Sequence, residues 1–329
     1  MGLNHSKENG GTDEEIFMKT VLTIITPVNR YLGFSAPISP VEQFNSALKK
    51  IDSADIDVRF VDPQRLHIKA SEDSLPIVCS EHGEQLKGGV YFAFGHDLLD
   101  RRMTAYVIKA LELSNEKVIN GYDALTIADD KALLALHLAN QNIPIAKSVI
   151  ASARSNSNEI INYLNSKVII SKTTGFSAGG VGVKPLPSDI NFLAPDIWSA
   201  RMDSKPKVIQ DDLDQNNSRR QVIRSYVVGD KLIGSYTTTG YGIVNCAGLA
   251  RESVARPYRA TKEQERLLIS AANCVKSGGY CRIDSVGGNN FAIIEVNPLA
   301  RMDADAYGID VALAILWLAV NKMKGDYEL

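Results

Sequence analysis

Short apolar runs alternate with polar segments in the first third of the chain. The apolar runs at residues 21–25 and 58–61 are predicted as strands, and residues 41–50 between them have the period of a helix. A strand at residues 89–94 and a helix at residues 104–113 follow. Because strands that alternate with helices form parallel sheets with crossover helices, the first domain is expected to be α/β.

The pattern changes further along the chain. A helical stretch ends near Asn140 and Pro144 prevents its continuation. Extended segments and short helices are then predicted, in the order 145–150 extended, 159–164 helix, 168–170 strand, 208–210 strand, 221–228 strand, 232–236 strand, 262–276 helix, 280–286 strand, 291–296 strand and 309–323 helix. The sequence therefore predicts a mobile tail at residues 1–19 and domains at residues 20–118, 119–206 and 207–329.

Composition narrows the class of protein. A chain of 329 residues is expected to form two or three domains, and its formal charge of -2 gives no reason to expect nucleic acid or a membrane surface as a partner. Four scattered cysteines without a Cys-x-x-Cys pair, and the lack of a signal peptide or of a run of about 20 apolar residues, predict a soluble cytoplasmic protein. The first six residues fit an N-myristoylation pattern that often arises by chance.

Two acidic residues and an amide lie on the last two predicted strands, which a Gly-Gly-Asn-Asn turn joins. If the turn is symmetric, Asp284 faces Ile293 and Arg282 faces Glu295. Side-chain alternation then places Arg282, Asp284, Glu295 and Asn297 on one face. Carboxylate and amide oxygens are ligands that Mg2+ prefers, so a metal site is one interpretation. The alternative is a solvated face with a salt bridge between Arg282 and Glu295.

A glycine-rich loop follows the strand that ends near Lys172. It contains Ser177, Gly179 and Gly180, and its backbone N–H groups could cover phosphates while Lys172 supplies a positive charge. Residues 175–179 also match the G-x-S-x-G elbow of serine hydrolases. That interpretation is disfavoured, because glycines and prolines replace the required helix and all five histidines precede Ser177.

Several segments together resemble the ATP-grasp superfamily, and within it the RimK-type ribosomal-protein glutamate ligases and related amino-acid ligases. The Val61-Asp62-Pro63-Gln64-Arg65 turn is similar to an early motif of that family. Further similar segments follow in the family's order, at residues 118–121, 128–131, 142–147, 168–182, 209–213, 227–234, 282–284 and 294–298. A set of matches in the family's order and at similar distances is more specific than any single match. Together the matching segments cover roughly residues 20–325.

The resemblance implies an ATP-grasp fold of class α+β / α/β, in which an N-terminal α/β domain is followed by a central lid and a C-terminal antiparallel-sheet domain that sandwich ATP. It also implies site roles. These are phosphate contacts from Lys131 and Lys172, a lid loop with Ser177, Gly179 and Gly180, an adenine-side hinge of Gln210, Asp211, Asp212 and Leu213, γ-phosphate and substrate contacts from Arg224 and Asn245, acyl-phosphate stabilisation by Arg282, and metal ligation by Asp284, Glu295 and Asn297.

The implied activity is ATP-dependent ligation of a carboxylate to an amine through an acyl-phosphate, with release of ADP and phosphate. Its cofactors would be ATP and two Mg2+ ions, with Mn2+ as a substitute. The substrates would be amino acids or peptides, and the chain would form a dimer or tetramer. Two alternatives are a catalytically silent nucleotide-binding scaffold, as synapsin is, and a purely structural α/β protein.

Three departures from the family pattern concern the substrates. Val222 stands where the RimK branch has Asp, and Thr237-Thr238 stand where paired arginines are expected. Residues 298–301 also differ from the family sequence after the metal asparagine. There Arg301 could bind a substrate carboxylate with two hydrogen bonds, or instead pair with Asp303 or Asp305.

Overall fold

The computed structural model describes residues 19–27, 39–51, 56–94, 101–173, 183–203, 205–213, 219–241, 255–287, 291–302 and 307–325. None of the helices within these ranges combines the length and apolarity that a membrane crossing requires.

The described residues form fifteen strands and eight α-helices. The strands are β1 Thr20–Ile25, β2 Ile56–Val61, β3 Leu66–Ser71, β4 Ser74–Ser80, β5 Val90–Ala93, β6 Lys117–Ile119, β7 Ser148–Ala151, β8 Val168–Thr173, β9 Val183–Pro187, β10 Lys207–Asp211, β11 Arg219–Val228, β12 Lys231–Tyr241, β13 Arg256–Tyr258, β14 Tyr280–Val286 and β15 Ala292–Asn297. The helices are α1 Pro40–Leu48, α2 Arg101–Leu113, α3 Tyr122–Asp129, α4 Lys131–Asn140, α5 Ser157–Leu164, α6 Ile190–Asp203, α7 Lys262–Cys274 and α8 Gly308–Lys324.

The first sheet is parallel, with the strand order β2-β1-β5-β6. Helices α1 and α8 bury apolar side chains against one face, and α2 packs on the other. The α/β prediction for this region is therefore confirmed. The hairpin of β3 and β4, which the sequence pattern did not reveal, packs on α2.

The second sheet is antiparallel and has the order β7-β10-β8-β9. Helices α5 and α6 share its apolar core. Strand β10 begins just after residue 206, where the sequence suggested a domain boundary, yet it lies inside this sheet. The sheet therefore extends across that boundary.

The third sheet has the order β13-β12-β11-β14-β15 and is also antiparallel. Helices α4 and α7 pack against one face. On the other face Tyr226 stacks between Tyr236 and Tyr280, at centroid distances of 6.1 and 6.3 Å. Tyr280 meets the Phe92 ring of the first sheet at 5.6 Å, so one apolar core joins the two sheets.

The helical stretch predicted before Asn140 is two helices instead of one. Asp130 interrupts it with an extended backbone, and its carboxylate accepts hydrogen bonds from the N–H groups of Ala132 and Leu133. This N-cap starts α4 at Lys131. The interruption thus fixes the position of the first lysine that the sequence assigned to the nucleotide.

Asn120 connects β6 to both ends of the β14–β15 hairpin. Its amide nitrogen donates to the carbonyl oxygens of Tyr280 and Pro298, and its amide oxygen accepts from the Tyr280 N–H and the Ser277 hydroxyl. The residue is buried and has a φ of 64°, a left-handed conformation that Asn adopts more readily than most residues. One side chain therefore holds the hairpin against the first sheet.

Candidate nucleotide and metal site

The β14–β15 hairpin carries the predicted metal ligands in a different register from the one expected. Asp284 faces Glu295, and Arg282 faces Asn297. The predicted pairs were wrong because the pairing shifts between Asp284 and Ser285, where Ile294 is the extra residue on β15. The observed partners differ from the predicted ones by two residues along β15. A shift of two residues leaves each side chain on the same face of the sheet. The four side chains therefore still share one face.

Ion pairs on this face join opposite charges from four elements, α4, β11, β14 and β15. Lys131 Nζ lies 2.8 Å from Glu295 Oε1, and Arg282 Nε lies 3.0 Å from Asp284 Oδ1. Arg224 Nε approaches the second oxygen of Asp284 to 3.7 Å. Arg282 thus pairs with Asp284 rather than with Glu295, its partner in the alternative interpretation. Both carboxylates are mostly buried and neutralised by cations that the sequence assigned to phosphate.

The Glu295 carboxyl is held in its ionised form. Burial alone would raise its pKa, but the positive charges of Lys131, Arg282 and Arg101 outweigh burial and lower the pKa to about 2. A carboxylate that stays charged at neutral pH is a suitable ligand for a hard cation.

Asn297 completes the predicted trio. Its side-chain oxygen accepts a hydrogen bond of 3.1 Å from the Leu299 N–H, which fixes the amide and leaves a second lone pair. Among the described residues, no group of three or more His, Cys, Asp and Glu side chains is placed to hold a metal ion. The predicted metal ligands Asp284, Glu295 and Asn297 include only two carboxylates. Their interpretation as a metal site therefore depends on their hard oxygen donors, which fit Mg2+. The ion pair with Lys131 engages only one oxygen of Glu295, Oε1.

A cleft separates the second sheet from the hairpin. It is lined by Ala146, Ile170, Lys172, Gln210, Asp211, Asp212, Leu213, Val286, Ile293 and Ile294. The Ile293 N–H donates to the Pro144 carbonyl at 2.8 Å, which connects the two walls at one end. The structure therefore brings Lys172 and the four hinge residues into one cleft with both polar and apolar walls, next to the charged face.

Hydrogen bonds fix the hinge residues. Gln210 donates from its amide nitrogen to the Ser148 hydroxyl at 2.7 Å, and this hydroxyl donates to the Ala146 carbonyl. The backbone N–H groups of Asp211 and Asp212 donate to the carbonyls of Lys147 and Val168. These hydrogen bonds within the protein thus fix the cleft wall.

Lys172 lines this cleft. Burial lowers the pKa of its ammonium to about 8; the charge of Lys131 acts in the same direction and that of Glu295 opposes it. An anion such as a phosphate would raise this pKa again, because it supplies the missing counter-charge.

This pKa predicts a pH dependence of nucleotide binding. Below pH 8 Lys172 is already charged, so ADP affinity without metal should be nearly constant. Above pH 8 binding must first protonate the lysine, and affinity should fall by up to about tenfold per pH unit. Calorimetric titration at a series of pH values measures this, and Lys172→Met should bind weakly with a flatter profile. The same slope in Lys172→Met would contradict the assignment.

Some predicted residues stay apart from this site or cannot be placed. Ser177, Gly179, Gly180 and Asn245 lie outside the described residues. Arg301 follows the hairpin and is half-buried, while its proposed partners Asp303 and Asp305 also lie outside the described residues. The roles of these residues stay predictions.

The sequence analysis missed a buried ion pair beside the site. Arg101 at the start of α2 contacts Asp129 at the end of α3. Asp129 lies in the segment that resembled the family, two residues before Lys131. Arg101 is 28 residues away and belongs to no motif, so only the fold reveals the pair.

The match to a family profile decides the class of this fold. The RimK-like ATP-grasp domain matches residues 128–318, which is more than half of the chain. The chain belongs to this family. It is thereby an ATP-grasp ligase by class, and the predicted ATP-grasp fold is confirmed.

Several solved structures have the same fold as this chain. The ligase PsnB complexed with minimal precursor is 16% identical, with a TM-score of 0.63 over 91% of this chain and 99% of that chain. A RimK-domain ATP-grasp protein from Sphaerobacter thermophilus is 14% identical, with a TM-score of 0.62 over 92% and 100%. The D-alanine–D-alanine ligase from Coxiella burnetii is 14% identical, with a TM-score of 0.60 over 94% and 97%. A search of curated protein sequences finds no match.

Proposed function

We propose that this ATP-grasp chain joins a carboxylate to an amine through an acyl-phosphate and releases ADP and phosphate. The observation that carries the proposal is the cleft itself, in which the hinge residues and Lys172 face the hairpin. A nucleotide whose base lay in this cleft would extend its phosphates toward Lys172 and Lys131. The face with Asp284, Glu295 and Asn297 lies beside it.

The chain's own side chains would position and neutralise the reacting groups. Asp284, Glu295 and Asn297 would hold Mg2+, which when bound supplies charge neutralisation for the phosphates. Lys131 would leave Glu295 for a phosphate oxygen, so nucleotide binding would exchange one ion pair for another. Lys172 would contact the phosphates from the cleft side. Catalysis of phosphoryl transfer is mainly such positioning and electrostatic stabilisation.

The two arginines on this face would act after phosphate transfer begins. Arg224 and Arg282 both lie beside Asp284. With Asp284 on the metal, their guanidinium groups would face the transferred phosphate and the acyl oxygen, where negative charge accumulates. An amine would then attack the acyl carbon and displace phosphate. These roles derive from position and from the family pattern.

Two of the departures from the family pattern lie next to each other in the fold. Val222 and Thr238 face each other across β11 and β12, on the face that also carries Arg224. An Asp and an Arg expected at such positions are thus replaced together by uncharged residues. We infer that the substrate group bound beside Arg224 is neutral rather than charged.

The solved structures with the same fold are the basis for a proposal about the substrates. Two of them are described as a ligase with a precursor peptide and as a D-alanine–D-alanine ligase. We propose amino acids or peptides as the acid and the amine of this chain. Two Mg2+ ions with Mn2+ as a substitute, a homo-oligomer and a cytoplasmic location stay predictions.

A screen of amino acids and dipeptides, supplied in pairs, tests this function. ADP release that depends on a particular pair, together with a product whose mass equals the sum of the two minus one water, is the expected result. Nucleotide binding without ADP release for any pair would instead favour the scaffold alternative. A melting temperature that does not respond to Mg2+ and ATP would favour a purely structural protein.

A further inference from the structure

Arg101 and Asp129 form an ion pair in the interior, away from solvent. Their side chains are 3% and 7% exposed. Arg101 is the first residue of α2 in the first domain, and Asp129 is the last residue of α3. The pair therefore joins the first sheet's helix to the turn that leads into Lys131.

Stability does not account for this pair. Removing two charges from water is costly, and replacing a buried ion pair by apolar residues of similar size is often neutral or stabilising. Here the pair is also incompletely satisfied, because Arg101 Nε and Asp129 Oδ2 are buried without a hydrogen-bond partner. Burial raises the pKa of Asp129, against the charges of Arg101 and Lys131.

Electrostatic contacts connect the pair to the site. The charge of Arg101 helps to lower the pKa of Glu295, and the charges of Lys131 and Glu295 both act on the pKa of Asp129. Asp129 lies two residues before Lys131, and Lys131 pairs with Glu295, so the four residues alternate in charge from Arg101 to Glu295. Asp130, next to Asp129, caps the helix that starts at Lys131.

We propose that Arg101 and Asp129 are positioning residues that hold Lys131 toward the nucleotide phosphates. The inference rests on the proposed function. When Lys131 leaves Glu295 for a phosphate oxygen, it loses its 2.8 Å partner, and Asp129 remains as a carboxylate two residues before it in the chain. Arg101 holds Asp129 in place, and it couples the first domain to the phosphate site.

A double-mutant cycle on ADP affinity tests the proposal, measured by calorimetry in EDTA so that no metal contributes. Arg101→Met/Asp129→Leu replaces the pair by apolar side chains and should fold. Supporting contacts one step removed from a ligand site are commonly worth about 10–100-fold in affinity, so ADP should bind about tenfold more weakly or worse. In the Lys131→Met background the same double substitution should have no further effect.

Arg65→Met is the matched control, because Arg65 makes an exposed ion pair with Glu81 and takes part in neither the Arg101–Asp129 nor the Lys131–Glu295 pair. It should leave ADP affinity unchanged. Wild-type ADP affinity in the double variant, or an equal loss with and without Lys131, would overturn the proposal. If the double variant fails to fold, Arg101→Lys takes its place in the cycle, since it keeps the charge but loses the planar fork.

The failure of this inference differs from that of the proposed function. A wild-type chain that binds no ADP would overturn the nucleotide site itself and the inference with it. A wild-type chain that binds ADP, with the pair and Lys131 acting independently, would overturn only the positioning role.

Discussion

Replacing Glu295 by glutamine is expected to lower substrate-dependent ADP release by at least about a thousandfold. Glutamine has nearly the same shape but carries no charge, while the native carboxyl, with its pKa lowered to about 2, is ionised throughout the working pH range. The substitution therefore removes the anionic metal ligand. It also removes the partner that holds Lys131 at 2.8 Å. The measurement is a coupled assay of ADP formation with a substrate pair found in the screen.

The matched control for this prediction is Glu81→Gln. Glu81 also pairs with a cation, at 2.9 Å from Arg65, but this pair is exposed and lies away from the cleft. ADP release should be unchanged in the control, and both variants should melt cooperatively. Full activity of a folded Glu295→Gln protein would contradict the assignment of Glu295 to a metal site.

Replacing Asn120 by alanine is expected to cost about 3 kcal/mol of unfolding free energy or more. The substitution removes four hydrogen bonds and leaves the carbonyls of Tyr280 and Pro298 and the Tyr280 N–H buried without this partner. Alanine also tolerates the left-handed backbone less well than asparagine does. Denaturant-induced unfolding, with the slope compared to the wild type, measures the effect.

Asn115→Ala separates the backbone contribution from the hydrogen bonds. Asn115 has a φ of 61°, close to that of Asn120, but it is exposed at the end of α2. Its substitution should cost about 1 kcal/mol, from the left-handed conformation alone. Equal losses at Asn115 and Asn120 would show that the hydrogen bonds to the hairpin contribute little.

The fold was predictable from the sequence where local signals agree with tertiary packing. The strand at Thr20–Ile25 and the helix at Lys262–Cys274 have clear apolar patterns, and the helix begins with a capping box at Thr261. Helix α6 was missed because Pro195 lies within it, and proline normally signals a helix boundary.

The sequence named residues that the fold brings close together, but it did not predict their geometry. The order of motifs identified Lys172, the hinge residues and the metal trio, and all of these lie in or beside one cleft. The register of the hairpin depends on the irregularity after Asp284, which no turn motif signals. The contact of Arg101 with Asp129 depends on how α2 packs against α3, which is a property of the whole fold.

Calorimetric titration of the wild-type chain with ADP, once in Mg2+ and once in EDTA, is the decisive experiment for the nucleotide site. We expect one site that binds ADP more tightly with Mg2+ and is lost in Ala146→Trp, since Ala146 lines the cleft and a large side chain there would fill it. Absence of binding, equal affinity with Mg2+ and EDTA, or unchanged binding by a folded Ala146→Trp protein would contradict it.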